Sequence, residues 1–150
     1  MSQSLSKILI HVIFSTKLRR SFIHLEIRDE LYAYITQISR AHGSQIHAIG
    51  GVEDHIHLLL SLPRTVSISQ LVEEIKKGSS KWIKTKGKTY QDFSWQSGYG
   101  AFSIGQSKLN VVRQYIQNQI EHHKKVSFQD EYRAFLRKYE VGFDEKYVWD

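Results

Sequence analysis

The chain has 150 residues, 41% hydrophobic, 12% aromatic and 24% charged, with no cysteine and a formal net charge of +6. That length suits one domain with its own core, and that composition excludes disordered, fibrous and disulfide-stapled classes. Without thiolates, any metal site must use imidazole, carboxylate or amide oxygen, and a reducing cytoplasm is the expected compartment. His11 interrupts the N-terminal apolar run, no small-residue cleavage site follows it, and no stretch approaches the roughly 20 apolar residues of a membrane span. Residues 128–150 hold four Lys/Arg against six Asp/Glu, which leaves 17 against nine, a net of +8, in residues 1–127. A basic body attracts polyanions, nucleic acid first and acidic membrane second.

Ser6–Thr16, "SKILIHVIFST", alternates strand formers and ends at the basic turn Lys17–Arg20. Leu25–Ala41 then repeats Leu25, Ile27, Leu31, Ile35 and Ile38 near a helical period and stops before Gly43. Gln45–Val52 and His55–Leu62 are two apolar runs around Glu53–Asp54, a hairpin that Pro63 closes. Ser67 and Gln70 form a capping-box start for a helix through Leu71, Val72, Ile75, Trp82 and Ile83. After an aromatic loop, "AFSIG" reads as a fourth strand, Ser107 as the cap of a helix over "SKLNVVRQYIQNQIEHHKK", and Phe128–Tyr139 as a last short helix. The order β-α-β-β-α-β-α predicts an α+β, ferredoxin-like (split βαβ, RRM-like) antiparallel sheet with helices on one face, plus the helix carrying Tyr115. One domain spans 1–150, with 128–150 a C-terminal extension. This fold serves binding modules and enzymes alike, so function must come from a site.

The segment "DHIHLLL" places His55 and His57 two apart in a strand, on one face and about 6.5–7 Å apart along it. That spacing suits two imidazoles converging on one metal ion, and it also suits plain hydrogen-bonded histidines on an open sheet face. Further ligands must come from another element across that face. The helix "VVRQYIQNQIEHH" offers Tyr115 and Gln119 on one stripe, continued by Val112 and by His122 or His123. A tyrosine hydroxyl can act as a nucleophile on an electrophile activated by a metal, and Gln119 can give the ion an amide oxygen one turn away. Tyr115 also fits the ordinary role of an aromatic packing knob, and His122 and His123 that of structural or solvent-facing residues.

These motifs, with "HVIFSTKLRR", "LVEEIKKGSSKWIK" and "FSWQSGYGAFSI" in the same order, resemble the single-tyrosine HUH transposases of the Insertion Sequence 200 type. The resemblance runs from about Ile8 to Lys125. It implies an enzyme that cuts and rejoins single-stranded DNA through a covalent 5′-phosphotyrosine link. Tyr115 matches the nucleophile, His55 and His57 the metal ligands, and Gln119 the third ligand, with Mg²⁺ or Mn²⁺ as the ion. It further implies hairpin-bearing element ends as substrate and a homodimer in which the tyrosine helix of one subunit serves the histidine pair of the other.

"KKGSSKWIKTKGK", Lys76 to Lys88, carries six lysines and no acid around Trp82. Lys76, Lys77, Lys81, Lys84 and Trp82 are therefore candidate single-strand DNA contacts, and Arg113 a candidate phosphate contact. The same lysines also suit a solvated helix face. An RRM-like binding module would place aromatics where His55 and His57 stand. A phosphoesterase with two His-x-Thr motifs, or a histidine-triad hydrolase, lacks its residues here, since Leu59 holds the third alternate place. A domesticated relative acting on repeat DNA stays open beside a mobile-element transposase.

Overall fold

The computed structural model describes residues 2–150. Its elements are β1 (Leu9–Ser15), α1 (Leu25–Ala41), β2 (Ile46–Gly51), β3 (His55–Ser61), α2 (Ile68–Ile83), β4 (Gly100–Ile104), α3 (Leu109–Gln117), α4 (Gln119–His122) and α5 (Phe128–Lys138). The sheet order is β2-β3-β1-β4, every neighbouring pair antiparallel, which is the split-βαβ arrangement of an α+β fold. β1 begins at Leu9 rather than Ser6, because its partners β3 and β4 end opposite Leu9 at Ser61 and Ile104.

Strand alternation divides the core into two layers. Val12, Phe14, Ile56, Leu58 and Leu60 face α1 and α2, meeting Leu31, Ile35, Leu71 and Ile75. Each fully buried side chain of this kind contributes roughly 1.5–3 kcal/mol of transfer free energy. α2 starts at the capping box expected of it, with Ser67 Oγ accepting from the Gln70 N–H. The opposite sheet face, which carries His11, Ile13, His55, His57 and Leu59, is covered by α3, α4 and α5. Leu59 and Ala48 pack on Ile116 of α3, while Ile13 and Phe102 pack on Phe128, Tyr132 and Leu136 of α5. Helices thus lie on one face as expected for α1 and α2, and the later helices close the other.

Two glycines set how near those later helices come. A Cβ at Gly50 of β2 would lie 2.3 Å from the Ile116 carbonyl oxygen, and one at Gly100 of β4 would lie 2.6 Å from Tyr132 Cε1. Only hydrogen at these positions lets α3 and α5 seat directly on the strands. The tyrosine helix is also not one piece. Ser107 lies in a 3-10 turn, Gln106–Lys108, and makes no cap; Lys108 holds the cap position without a side-chain bond. The helix breaks at Asn118 (φ −98°, ψ 19°), whose N–H is shared between the Gln114 and Tyr115 carbonyls, and resumes as α4. Asparagine tolerates such departures because its side chain competes for backbone hydrogen bonds.

Candidate catalytic and metal-binding site

β3 places His55 and His57 on the second face with ring centroids 5.2 Å apart, both fully buried. Register sets His57 opposite Ile13 and Gly50, so β1 and β2 flank it. His11, two residues along β1, brings Nε2 to 2.8 Å from His57 Nδ1. From the other side, α3 lays Tyr115 with its ring 5.8 Å from the His57 ring. Gln119 opens α4, buried, with Oε1 3.3 Å from His55 Nε2. The four residues singled out for chemistry are therefore gathered within one chain.

What joins them is a residue the sequence reading passed over. Glu131 of α5 is 2% exposed, and its carboxylate sits between the strand histidines and the tyrosine. Oε1 lies 2.8 Å from His57 Nε2, 3.1 Å from His123 Nε2 and 3.4 Å from His55 Nε2. Oε2 accepts from the Tyr115 hydroxyl and from Gln119 Nε2 at 3.1 Å, and lies 3.1 Å from His122 Nε2. His122 and His123, read as structural or solvent-facing, belong to this cluster. The sequence did carry a signal for Glu131: it stands on the stripe Phe128, Tyr132, Phe135, Leu136, and an acid on an apolar stripe needs buried partners.

The charges follow from these contacts. For His55, burial opposes the imidazolium, but bonds to Asp54 (2.7 Å) and Glu131 outweigh it and push its pKa up to about 9. For His57, burial wins over the bond to Glu131, and the pKa falls to about 4; His11, also buried and beside His57, falls to about 3. Burial works against the Glu131 carboxylate, yet bonds from His123, His55 and His57 hold it far below the usual range. Burial, then the charge of Glu131, raises the Tyr115 phenol, so at rest it is protonated and donates to that carboxylate.

Nitrogen and oxygen donors of His55, His57, His123 and Glu131 all lie within 4.8 Å of one another. Three imidazoles and a carboxylate, with the Gln119 amide oxygen beside them, form a donor set that fits a divalent cation. Two clefts reach the site's edge, both lined by Tyr115 and His122. One, of about 580 Å³, adds Val111, Gln114 and Asn118; the other, of about 370 Å³, adds Glu131, Phe135 and Lys138.

The basic segment lies elsewhere, since α2 packs on the opposite sheet face. Lys77, Lys81 and Lys84 are exposed there. Trp82 stacks on Tyr34 at 5.5 Å with Lys86 over its ring. Lys76 is partly buried, donating to the carbonyls of Gln96 (2.8 Å), Ser97 (3.2 Å) and Gly98 (2.6 Å). Arg113 ties α3 to β2 through the His47 carbonyl and bonds Asn110 Oδ1. None of these six reaches the histidine pair.

Residues 4–119 match the family model described as "Transposase IS200 like". The ISDra2 transposase TnpA of Deinococcus radiodurans is 24% identical over 114 residues, covering 73% of this chain and 81% of the relative. The transposase for insertion sequence element IS200 of Salmonella typhimurium is 26% identical over 119 residues, covering 76% and 78%. Among solved structures, a Deinococcus radiodurans R1 transposase crystal structure superposes with a TM-score of 0.62 at 24% identity, over 79% of this chain and 98% of that one. A REP-associated tyrosine transposase bound to a REP hairpin gives 0.61 at 20% identity, over 84% and 76%. The two superpositions speak to the fold; the matched segment holds both strand histidines, Tyr115 and Gln119, and the chain belongs to the IS200-like transposase family.

Proposed function

We propose that this protein nicks and rejoins single-stranded DNA in transposition through Tyr115. As the phenol gives up its proton, the Tyr115 oxygen forms a bond to phosphorus, the bond from phosphorus to the 3′-oxygen breaks, and that oxygen takes up a proton and leaves as a 3′-hydroxyl. The 5′-phosphate stays on the tyrosine, and the reverse attack by a 3′-hydroxyl rejoins the strand without ATP. His55, His57 and Gln119 would hold a divalent ion, Mg²⁺ or Mn²⁺, which supplies charge neutralisation at the scissile phosphate. The chain's own residues do the rest. Glu131 takes the phenol's hydrogen bond and fixes the tyrosine beside His57, and His122 meets the same hydroxyl at 3.2 Å. His11 and Glu131 brace the two nitrogens of His57, so its ring orientation is held before substrate arrives.

The observation that carries this reading is the meeting of Tyr115 with His57 across one buried carboxylate, since a packing tyrosine has no need of a hydroxyl buried against an acid. A hairpin-bearing strand is the proposed substrate. Lys77, Lys81, Lys84 and Trp82 on the α2 layer would meet its backbone and bases, with Lys76 and Arg113 at the margins, while the cut strand passes Tyr115. A homodimer in the cytoplasm is the expected assembly and place of action. The test incubates the protein with Mn²⁺ and single strands from the DNA flanking its gene, and looks for a denaturation-resistant adduct. Wild type should form it, Tyr115→Phe should bind DNA without forming it, and His57→Ala should lose it. A full adduct yield from Tyr115→Phe would overturn the nucleophile assignment, and equal yield in chelator would overturn the metal.

A further inference from the structure

Glu131 lies beyond the segment matched to the family, which ends at residue 119. It is bonded to more side chains than any other polar group in the cluster. Its two oxygens do different things. Oε2 is occupied by Tyr115 and Gln119, both donors, with His122 alongside. Oε1 instead faces three imidazole nitrogens at once, those of His57, His123 and His55. Hydrogen bonds from His57 and His123 already use the two lone pairs of Oε1, and His55 Nε2, bonded instead to Gln119 Oε1 at 3.3 Å, stands 3.4 Å away as a third nitrogen around the same point. Ring nitrogens and a carboxylate oxygen gathered around one point are the donors a cation collects. The placement is rigid, because Phe128, Tyr132 and Leu136 anchor α5 in the core and Tyr132 seats on Gly100.

We propose that Glu131 is itself a ligand of the divalent cation held by His55 and His57, with His123 joining it, so that α5 completes the metal site from within the same chain. This rests on the function proposed above for the presence of a cation, and it changes the assignment within it. Gln119 becomes a positioning residue whose amide N–H orients the carboxylate. Glu131 then links cation and nucleophile directly, one oxygen on the metal and the other on the Tyr115 hydroxyl.

The test is calorimetric titration of Mn²⁺ into the full chain and its Glu131→Gln, Glu131→Asp, Gln119→Ala and His55→Ala variants, with circular dichroism to establish folding. Visible absorption of Co²⁺ in the same proteins reports the ligand set. Outer-sphere partners alone are worth about 10–100-fold in metal affinity, so loss of a direct ligand should weaken Mn²⁺ at least about tenfold. Glu131→Gln should show that loss and an altered Co²⁺ spectrum, and Gln119→Ala a smaller one. If Glu131→Gln does not fold, Glu131→Asp, one methylene short, carries the test with the same expected loss. Mn²⁺ binding unchanged or tighter in the folded Glu131 variants overturns the proposal, tighter binding marking the carboxylate as an occupant that the cation must displace. Should wild type form the DNA adduct while the Glu131 variants keep full Mn²⁺ affinity, only this ligand assignment falls. A wild type that binds Mn²⁺ through Glu131 yet forms no adduct sinks the nicking reaction instead.

Discussion

Replacing Gly50 with alanine adds one methyl group at the point where the tyrosine helix rests on the sheet. Its Cβ would meet the Ile116 carbonyl oxygen at 2.3 Å and Ile116 Cγ2 at 3.2 Å, whereas real Cβ contacts essentially never fall below 3.0 Å. The obstructing atom is backbone, so the helix itself must retreat, by about 0.7 Å to go from 2.3 to 3.0 Å. Overpacking of this kind costs typically about 1–3 kcal/mol. Gly50 has no left-handed φ, so the backbone accepts alanine, and the lost freedom of the unfolded chain returns about 0.4–1 kcal/mol. The net expectation is a destabilisation of about 1–2 kcal/mol. The catalytic effect should be larger in proportion, because Tyr115 precedes Ile116 and a misplacement of about 1 Å can slow a positioned reaction roughly 100-fold. Urea unfolding measures the first quantity and the rate of covalent adduct formation on single-stranded DNA the second. Gly105→Ala is the control: nothing lies within 4 Å of its Cβ and its φ is −73°, so both quantities should stay near wild type. Gly50→Ala with wild-type stability and rate would refute the claim that this contact positions the nucleophile.

Acid should unfold the protein through its buried neutral histidines. His11 and His57 titrate near 3 and 4 when folded against 6.5 when unfolded, so between about pH 6.5 and 4.5 only the unfolded chain takes up their protons. Stability should therefore fall by up to about 2.7 kcal/mol per pH unit from these two groups, a slope that His11→Phe halves and that urea titrations at successive pH values read directly. His55 is of opposite sign, its pKa raised to about 9, so its contribution is complete below pH 6.5 and lost as pH rises through about 9. Lys76→Met removes the donor to three carbonyls and should cost about 1.5–3 kcal/mol. Lys77→Met, on an exposed side chain, should leave stability within about 0.5 kcal/mol and weaken DNA binding at low salt. Mixing Tyr115→Phe with His57→Ala protein should give no adduct, since each chain needs its own pair; recovery of adduct in the mixture would mean exchange of the tyrosine helix between copies.

The elements that sequence periodicity locates well are those whose structure is decided locally. Ser67 with Gln70 fixes the start of α2, and the run Leu25 to Ala41 carries its own apolar stripe and stop. His55 and His57 were legible because strand alternation alone puts them on one face. The break at Asn118 was not, because the stripe Val112, Tyr115, Gln119 reads as continuous, and the interruption is settled by how α3 and α4 pack against β2. Glu131 escaped for a different reason. Its partners are up to 76 residues away in sequence, among them His55 at 3.4 Å, and a single acid in a charged C-terminal stretch looks solvated until the helix is placed. Its misfit with Phe128, Tyr132 and Leu136 was visible, but only the fold says which histidines it answers. Lys76 stands in the same basic run as its neighbours, and only the fold shows that its ammonium is bonded to the loop 96–98.

The side chains of the site differ in how they meet solvent, and that sets the direction from which DNA must come. His55 and His57 are fully buried and Glu131 nearly so, under α4, α5 and the five residues between them. Tyr115 and His122 line both clefts, and one of the two also reaches Glu131 and carries Lys138. On the chemistry proposed above, a scissile phosphate would arrive over the phenol, on the side where the last turn of α5 carries the basic side chains of Arg137 and Lys138. Between the phenol and the strand histidines stands the Glu131 carboxylate, bonded to Tyr115 and Gln119 on one side and to His57 on the other. α5 stays seated through Phe128, Tyr132 and Leu136, and the tyrosine is already in position on the open side.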